Sequence, residues 1–138
     1  MKRQSGFTLI EILVVVMILG LLISLAAPRI IGRTDDARIV KARADIKAIE
    51  EALSLYKLDS GTFPTTEQGL VALVDKPDVG RVPRRWRDGG YIERVPLDPW
   101  DQTFLYASDG REYVLRSLGA DGDDGGEGVD ADIDSRDF

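Results

Sequence analysis

Residues 7–27 form an apolar run of 21 residues, broken only by Thr8, Glu11, Gly20 and Ser24. As an α-helix it is about 30 Å long, the thickness of a bilayer's hydrocarbon core. It predicts a transmembrane helix and leaves residues 28–138 for one small soluble domain. Residues 1–6 (MKRQSG) are short and basic, which holds them in the cytoplasm and sends the bulk of the chain outward. A cleaved secretory signal fits poorly, because Pro28 would directly follow the cut after Ala26-Ala27. Glu11 stands out. A carboxylate at the edge of hydrocarbon is costly and marks a function, against the plainer reading of a side chain snorkelling to the headgroups.

Cysteine and histidine are both absent from the 138 residues. There is no disulfide, no thiolate site, and no imidazole to serve as general base or partner of a nucleophile. An enzyme is therefore not expected. The net charge of -6 is unevenly spread. Eight acids (Asp121, Asp123, Asp124, Glu127, Asp130, Asp132, Asp134, Asp137) crowd the C-terminal stretch with Arg136 alone, while Arg81, Arg84, Arg85, Arg87 and Arg94 cluster earlier. Nothing resembles a broad basic surface, so nucleic acid is not an expected partner.

Beyond Pro28, Ile39, Ala42, Ile46, Ile49, Leu53 and Tyr56 recur at helical spacing with charged residues between them. An amphipathic helix is predicted over about 33–59, stopping at Ser60-Gly61, with a bend or melted turn between Gly20 and Pro28. Thr65-Thr66-Glu67-Gln68 has a capping-box pattern and predicts a short helix over about 66–74, followed by a variable loop over about 75–100. Its arginine cluster offers a complement to Glu50 and Glu51 of a neighbouring copy. Two strands over about 103–117, turning at Ser108-Asp109-Gly110, predict a hairpin. The expected fold class is α+β: a long N-terminal α-helix, its outer half amphipathic, packed on a small C-terminal antiparallel β-sheet.

The acidic, glycine-rich stretch over about 118–134 has two readings. A dense charge run is usually a disordered tail. Oxygen ligands interleaved with glycine also describe a calcium loop. As an EF-hand it fails, with Gly125 at the fifth position, Asp132 in place of the bidentate glutamate and a strand before it. Residues 125–130 match the start of a β-helix calcium repeat, but a single copy cannot stack.

Gly6-Phe7-Thr8-Leu9-Ile10-Glu11, after the basic leader, resembles the processing site of type IV pilins and pseudopilins. The resemblance implies that a prepilin peptidase removes residues 1–6 by cutting after Gly6, and that Phe7 becomes an N-methylated terminus. Glu11 would then pair with the Phe7 amine of a neighbouring subunit, turning two costly charges into one ion pair when the register is right.

Phe63-Pro64-Thr65-Thr66-Glu67-Gln68-Gly69-Leu70, Gly90-Tyr91-Ile92, Pro96-Leu97-Asp98-Pro99-Trp100 and Ser117-Leu118-Gly119-Ala120-Asp121-Gly122 resemble the major pseudopilins of type II secretion systems. That family implies one Ca²⁺ in the C-terminal loop. Asp121, Asp132 and Asp130 are the side-chain candidates, the carbonyls of Leu118 and Asp123 complete the shell, and Asp124, Glu127 and Asp134 stand by as substitutes or neighbours. The implied protein is a structural subunit, anchored in the inner membrane by a single pass with its domain in the periplasm. It would polymerise with itself into a pseudopilus that exports folded proteins, in contact with minor pseudopilins, an inner-membrane assembly platform and the secreted proteins. The rival readings are a type IV pilus-like or minor pilin subunit and a membrane-tethered calcium-binding module.

Overall fold

The structure is a computed structural model and describes residues 8–138, with side chains throughout save those of 25–33. Its contacts divide the chain into two units, Met1–Asp35 and Asp36–Phe138. Helix α1 (Leu9–Ser60) is continuous through Gly20 and Pro28, so of the expected bend or melted turn the melted turn is not found.

In the first unit, Thr8 caps α1. Its Oγ1 accepts the Glu11 amide at 3.3 Å, and its carbonyl accepts the Glu11 and Ile12 amides. Glu11 therefore sits in the first helical turn, where the unpaired N–H groups and the helix dipole favour a carboxylate. The apolar side chains from Leu9 to Ile23 are exposed, Leu9 at 85% and Ile23 at 67%.

In the second unit, one face of α1 makes half of the core. Ala42, Ile46, Ile49, Ala52, Leu53 and Tyr56 are buried, and Ile39 packs at the margin. They meet Leu70, Ala72, Leu73, Phe104, Leu115 and Ile133, and each large aliphatic side chain buried here contributes about 1.5–3 kcal/mol. Gly61 ends α1 with φ 83°, its amide donating to the Lys57 carbonyl at 2.7 Å. A residue without Cβ makes that left-handed stop cheap.

The helix expected over about 66–74 is instead a turn followed by a 3₁₀ helix, Leu70–Leu73. The capping pattern is real, since the Gln68 Oε1 accepts the Thr65 amide at 3.0 Å and the Thr65 Oγ1 accepts the Gln68 amide at 3.4 Å. Gly69 then takes φ 60°, ψ -173°, which no α-helix permits, so the box closes a single turn. The Gln68 amide group donates onward to the carbonyls of Val79 and Arg81, tying down the start of the arginine-rich loop.

Strands β1 (Leu105–Ser108) and β2 (Tyr113–Ser117) pair antiparallel, with Leu105 opposite Arg116 and Ser108 opposite Tyr113. The connection is four residues long, wider than a two-residue turn. Asp109 Oδ1 accepts the Arg111 and Glu112 amides, and these bonds hold its carboxyl below the usual range. A third strand, β3 (Ile133–Asp134), pairs antiparallel with the other edge of β2. The sheet order is β1-β2-β3, so the acidic stretch leaves the sheet after β2 and returns to it.

Candidate functional site

The loop from Leu118 to Asp132 is bounded by two strands of one sheet, and buried polar groups fix where it starts. Asp98 and Ser117 are both buried, and the Ser117 hydroxyl donates to Asp98 Oδ2 at 2.6 Å. Asp98 Oδ1 accepts the Trp100 and Gln102 amides at 3.0 and 2.9 Å. The Gln102 side chain then donates to the Gly119 and Ala120 carbonyls, at 3.3 and 3.4 Å. The Asp-Pro-Trp turn thus anchors the first residues of the loop. Sequence reasoning used Asp98 as a family marker and missed its role, along with those of Gln102 and Ser117. The available signal was an aspartate just before a proline, which favours a side chain bonded to its own turn.

Within the loop, backbone bonds cross from side to side: the Ala120 amide donates to the Val129 carbonyl and the Asp132 amide to the Gly125 carbonyl, both at 3.0 Å. Gly119 takes φ 68°, and a Cβ there would lie 2.6 Å from the Asp130 carbonyl oxygen. A Cβ on Gly126 would also collide with the same oxygen. The glycines serve close backbone approach as well as turning.

The acids are placed as follows. Asp121 and Asp123 are exposed, with the Asp123 amide donating to Asp121 Oδ1 at 3.1 Å. Leu118 and Asp130 are half-buried. Asp134 is buried and bound by Arg136 through two contacts of 2.9 and 2.6 Å, and Arg136 holds its carboxyl below the usual range. Asp132 and Asp124 share Arg116, whose Nη1 lies 3.1 Å from Asp132 Oδ2 and 2.7 Å from Asp124 Oδ1. Asp132 Oδ1 and Arg116 Nε are buried without a hydrogen-bond partner. Among the described residues, no group of three or more acidic side chains is arranged to hold a metal ion. The donor chemistry does fit calcium: every candidate side chain is a carboxylate, and the orphaned Asp132 Oδ1 has lone pairs to offer.

Gly6 and Phe7 lie outside the described residues. Glu11 is described and stands three residues after the helix cap. Among the described residues, no helix is long and apolar enough to cross a membrane, and the expected span of 7–27 reaches beyond the described side chains at both ends. Glu50, expected to meet an arginine of another copy, accepts from the Tyr113 hydroxyl at 2.9 Å and lies 3.4 Å from Lys47 in its own chain.

Residues 1–27 match the prokaryotic N-terminal methylation motif, and residues 29–136 match type II secretion system protein G. The chain belongs to the type II secretion system protein G family. Its relatives include the type II secretion system core protein G of Pseudomonas aeruginosa, 49% identical over 96% of this chain and 94% of that one. The protein of the same name from Vibrio cholerae is 50% identical over 96% of this chain and 92% of its own. The crystal structure of the major pseudopilin from the type 2 secretion system of enterohaemorrhagic Escherichia coli matches with a TM-score of 0.67 and 38% identity, over 78% of this chain and 94% of that chain. As a pseudopilin, this family member is a structural subunit and not an enzyme. The long helix and the three-stranded antiparallel sheet are the fold it shares with that neighbour.

Proposed function

We propose that this chain is the major subunit of a type II secretion pseudopilus. It polymerises through its N-terminal helix and drives folded proteins across the outer membrane. The observation that carries this reading is the succession, along one chain, of a methylation motif over residues 1–27 and a protein G match over residues 29–136. Cleavage after Gly6, methylation of Phe7, a single-pass inner-membrane anchor at residues 7–27 and a periplasmic domain belong to the same reading. The exposed side chains from Leu9 to Ile23 are what such a helix presents to lipid and to neighbouring helices. The platform, the minor pseudopilins and the secreted proteins are its partners in it.

The test has two arms. Intact mass of the membrane-extracted protein should show loss of residues 1–6 and gain of one methyl group. Expression in a bacterium lacking its own major pseudopilin should restore secretion. A matured protein that builds surface pili without restoring secretion would favour the type IV pilus-like reading instead.

We further infer that the loop over 118–134 takes one Ca²⁺. Asp121, Asp130 and Asp132 would hold it by their side chains, with the carbonyls of Leu118 and Asp123. The supporting observations are the all-carboxylate donor set and the orphaned, buried Asp132 Oδ1. Calcium would neutralise acids that otherwise repel across a short loop. Saturating calcium at about 100 to 1,000 times the dissociation constant should raise stability by about 3–4 kcal/mol. Equal melting temperatures of the full chain with calcium and with chelator would sink this reading.

A further inference from the structure

Arg116 lies on the central strand, facing Leu105 of β1 on one side and Asp134 of β3 on the other. Its guanidinium reaches out of the sheet into the acidic loop. Both of its contacts there come from one nitrogen, Nη1, which bridges Asp124 and Asp132. Arginine–carboxylate pairs are frequently bidentate, two nitrogens on two oxygens, because the planar fork matches that geometry. Here Nε is buried with no partner, and so is Asp132 Oδ1. Each of those unsatisfied atoms costs the site free energy that a better arrangement would recover. Asp132 is mostly buried, whereas the Asp124 side chain is 75% exposed.

We propose that Arg116 is an internal cation that competes with the divalent ion for Asp132 and so sets the calcium affinity of the loop; this rests on the calcium reading above. Arginine keeps its proton at any physiological pH, so the competing charge is permanent. A divalent ion on Asp132 Oδ1 faces that positive charge across a single carboxylate, in a partly buried place where repulsion is poorly screened. On binding, Arg116 gives up Asp132 and keeps Asp124, whose exposed side chain can follow it. The exchange satisfies the orphaned oxygen and frees Nε to find solvent. Without the ion, the bridge ties the middle of the loop, at Asp124, to its end at Asp132.

The test is titration calorimetry of CaCl₂ into the full chain in detergent micelles, comparing parent, Arg116→Met and Arg116→Lys, with melting temperatures measured in chelator. Arg116→Met should bind calcium about tenfold more tightly than the parent. Arg116→Lys, which keeps the charge, should stay within about threefold of it. In chelator the Met variant should melt below the parent, and saturating calcium should close the gap. A purely structural arginine gives the opposite sign, because losing it would loosen the loop and weaken binding. If the Met variant fails to fold, Arg116→Gln keeps a donor for Asp132 without charge and carries the same expectation. Calcium binding by the parent with equal or weaker binding by the neutral variants overturns the competition and leaves the calcium reading standing. No binding by parent or variants overturns both, and binding by the neutral variant alone supports both.

Discussion

The Ser117 hydroxyl and the Asp98 carboxylate meet at 2.6 Å in the interior, joining the end of β2 to a turn nineteen residues earlier in the chain. Asp98 also accepts two backbone amides, so one side chain satisfies three donors. Asp98→Ala should cost about 3–4 kcal/mol, because buried donors are left unpaired. Asp98→Asn should cost less, since its carbonyl oxygen still accepts the amides. Denaturant melts followed by Trp86 and Trp100 fluorescence would measure both, and equal losses for the two variants would contradict the assignment.

Gly119 and Gly128 both have positive φ, 68° and 64°, but only Gly119 is crowded. Gly119→Ala must push a Cβ into the Asp130 carbonyl and should destabilise by about 2–3 kcal/mol. Gly128→Asn has open space and a conformation that asparagine tolerates, so its loss should stay below about 1 kcal/mol. The same melts decide it. Similar losses at the two sites would mean that the close approach at Gly119 is relaxed in solution.

Glu11 carries the sharpest assembly expectation. Glu11→Ala should still insert and fold, because the Thr8 cap holds the first turn without the acid. On the proposed processing after Gly6 it should polymerise poorly, since the Phe7 amine of a neighbouring subunit would be left unpaired in an apolar place. Thr8→Ala should show the reverse pattern, fraying the helix start by about 1 kcal/mol while keeping the pairing acid. Cross-linking of assembled subunits and electron microscopy would report both; normal filaments from Glu11→Ala would remove the registry role.

All four tyrosines have raised pKa values, in each case chiefly through burial, with Tyr56 and Tyr106 pushed up to about 12. A raised value means that the folded state holds the phenolic proton more tightly than the unfolded chain does. The resulting stability is fully present below the unfolded value near 10 and is lost as pH rises through about 12. Tyrosinate absorbance should therefore appear cooperatively, together with loss of helix circular dichroism, between about pH 10 and 12. A gradual titration near 10 with the helix intact would show that the rings are more open to water than the structure has them. Tyr113→Phe removes one of the four raised phenols, lifted first by burial and then by its bond to Glu50, and should therefore move that transition to higher pH.

What the sequence disclosed followed from how local the cause was. The buried stripe from Ala42 to Tyr56 is a helical period, and the period alone located half of the core. The end of α1 was legible for the same reason, since Gly61 is a local signal. The turn at Gly69 was not. A capping box says that a helix can begin, and only the backbone conformation of the next residue says whether it continues. β3 was missed because two residues in an acidic run carry no alternation, and Ile133 is the single apolar hint. The Arg116 bridge was beyond reach for another reason: it joins positions 116, 124 and 132, whose proximity exists only once the loop has folded back.

The brevity of β3 has a bearing on the fate of the chain outside its assembly. Two residues are all that cap the open flank of β2, and they are held there by the loop that precedes them. Should that loop swing away, the Arg116–Ser117 end of β2 would lose its partner and offer bare amides and carbonyls to any passing extended peptide. Loss of the loop should therefore favour strand swapping between subunits that are not yet built into a filament.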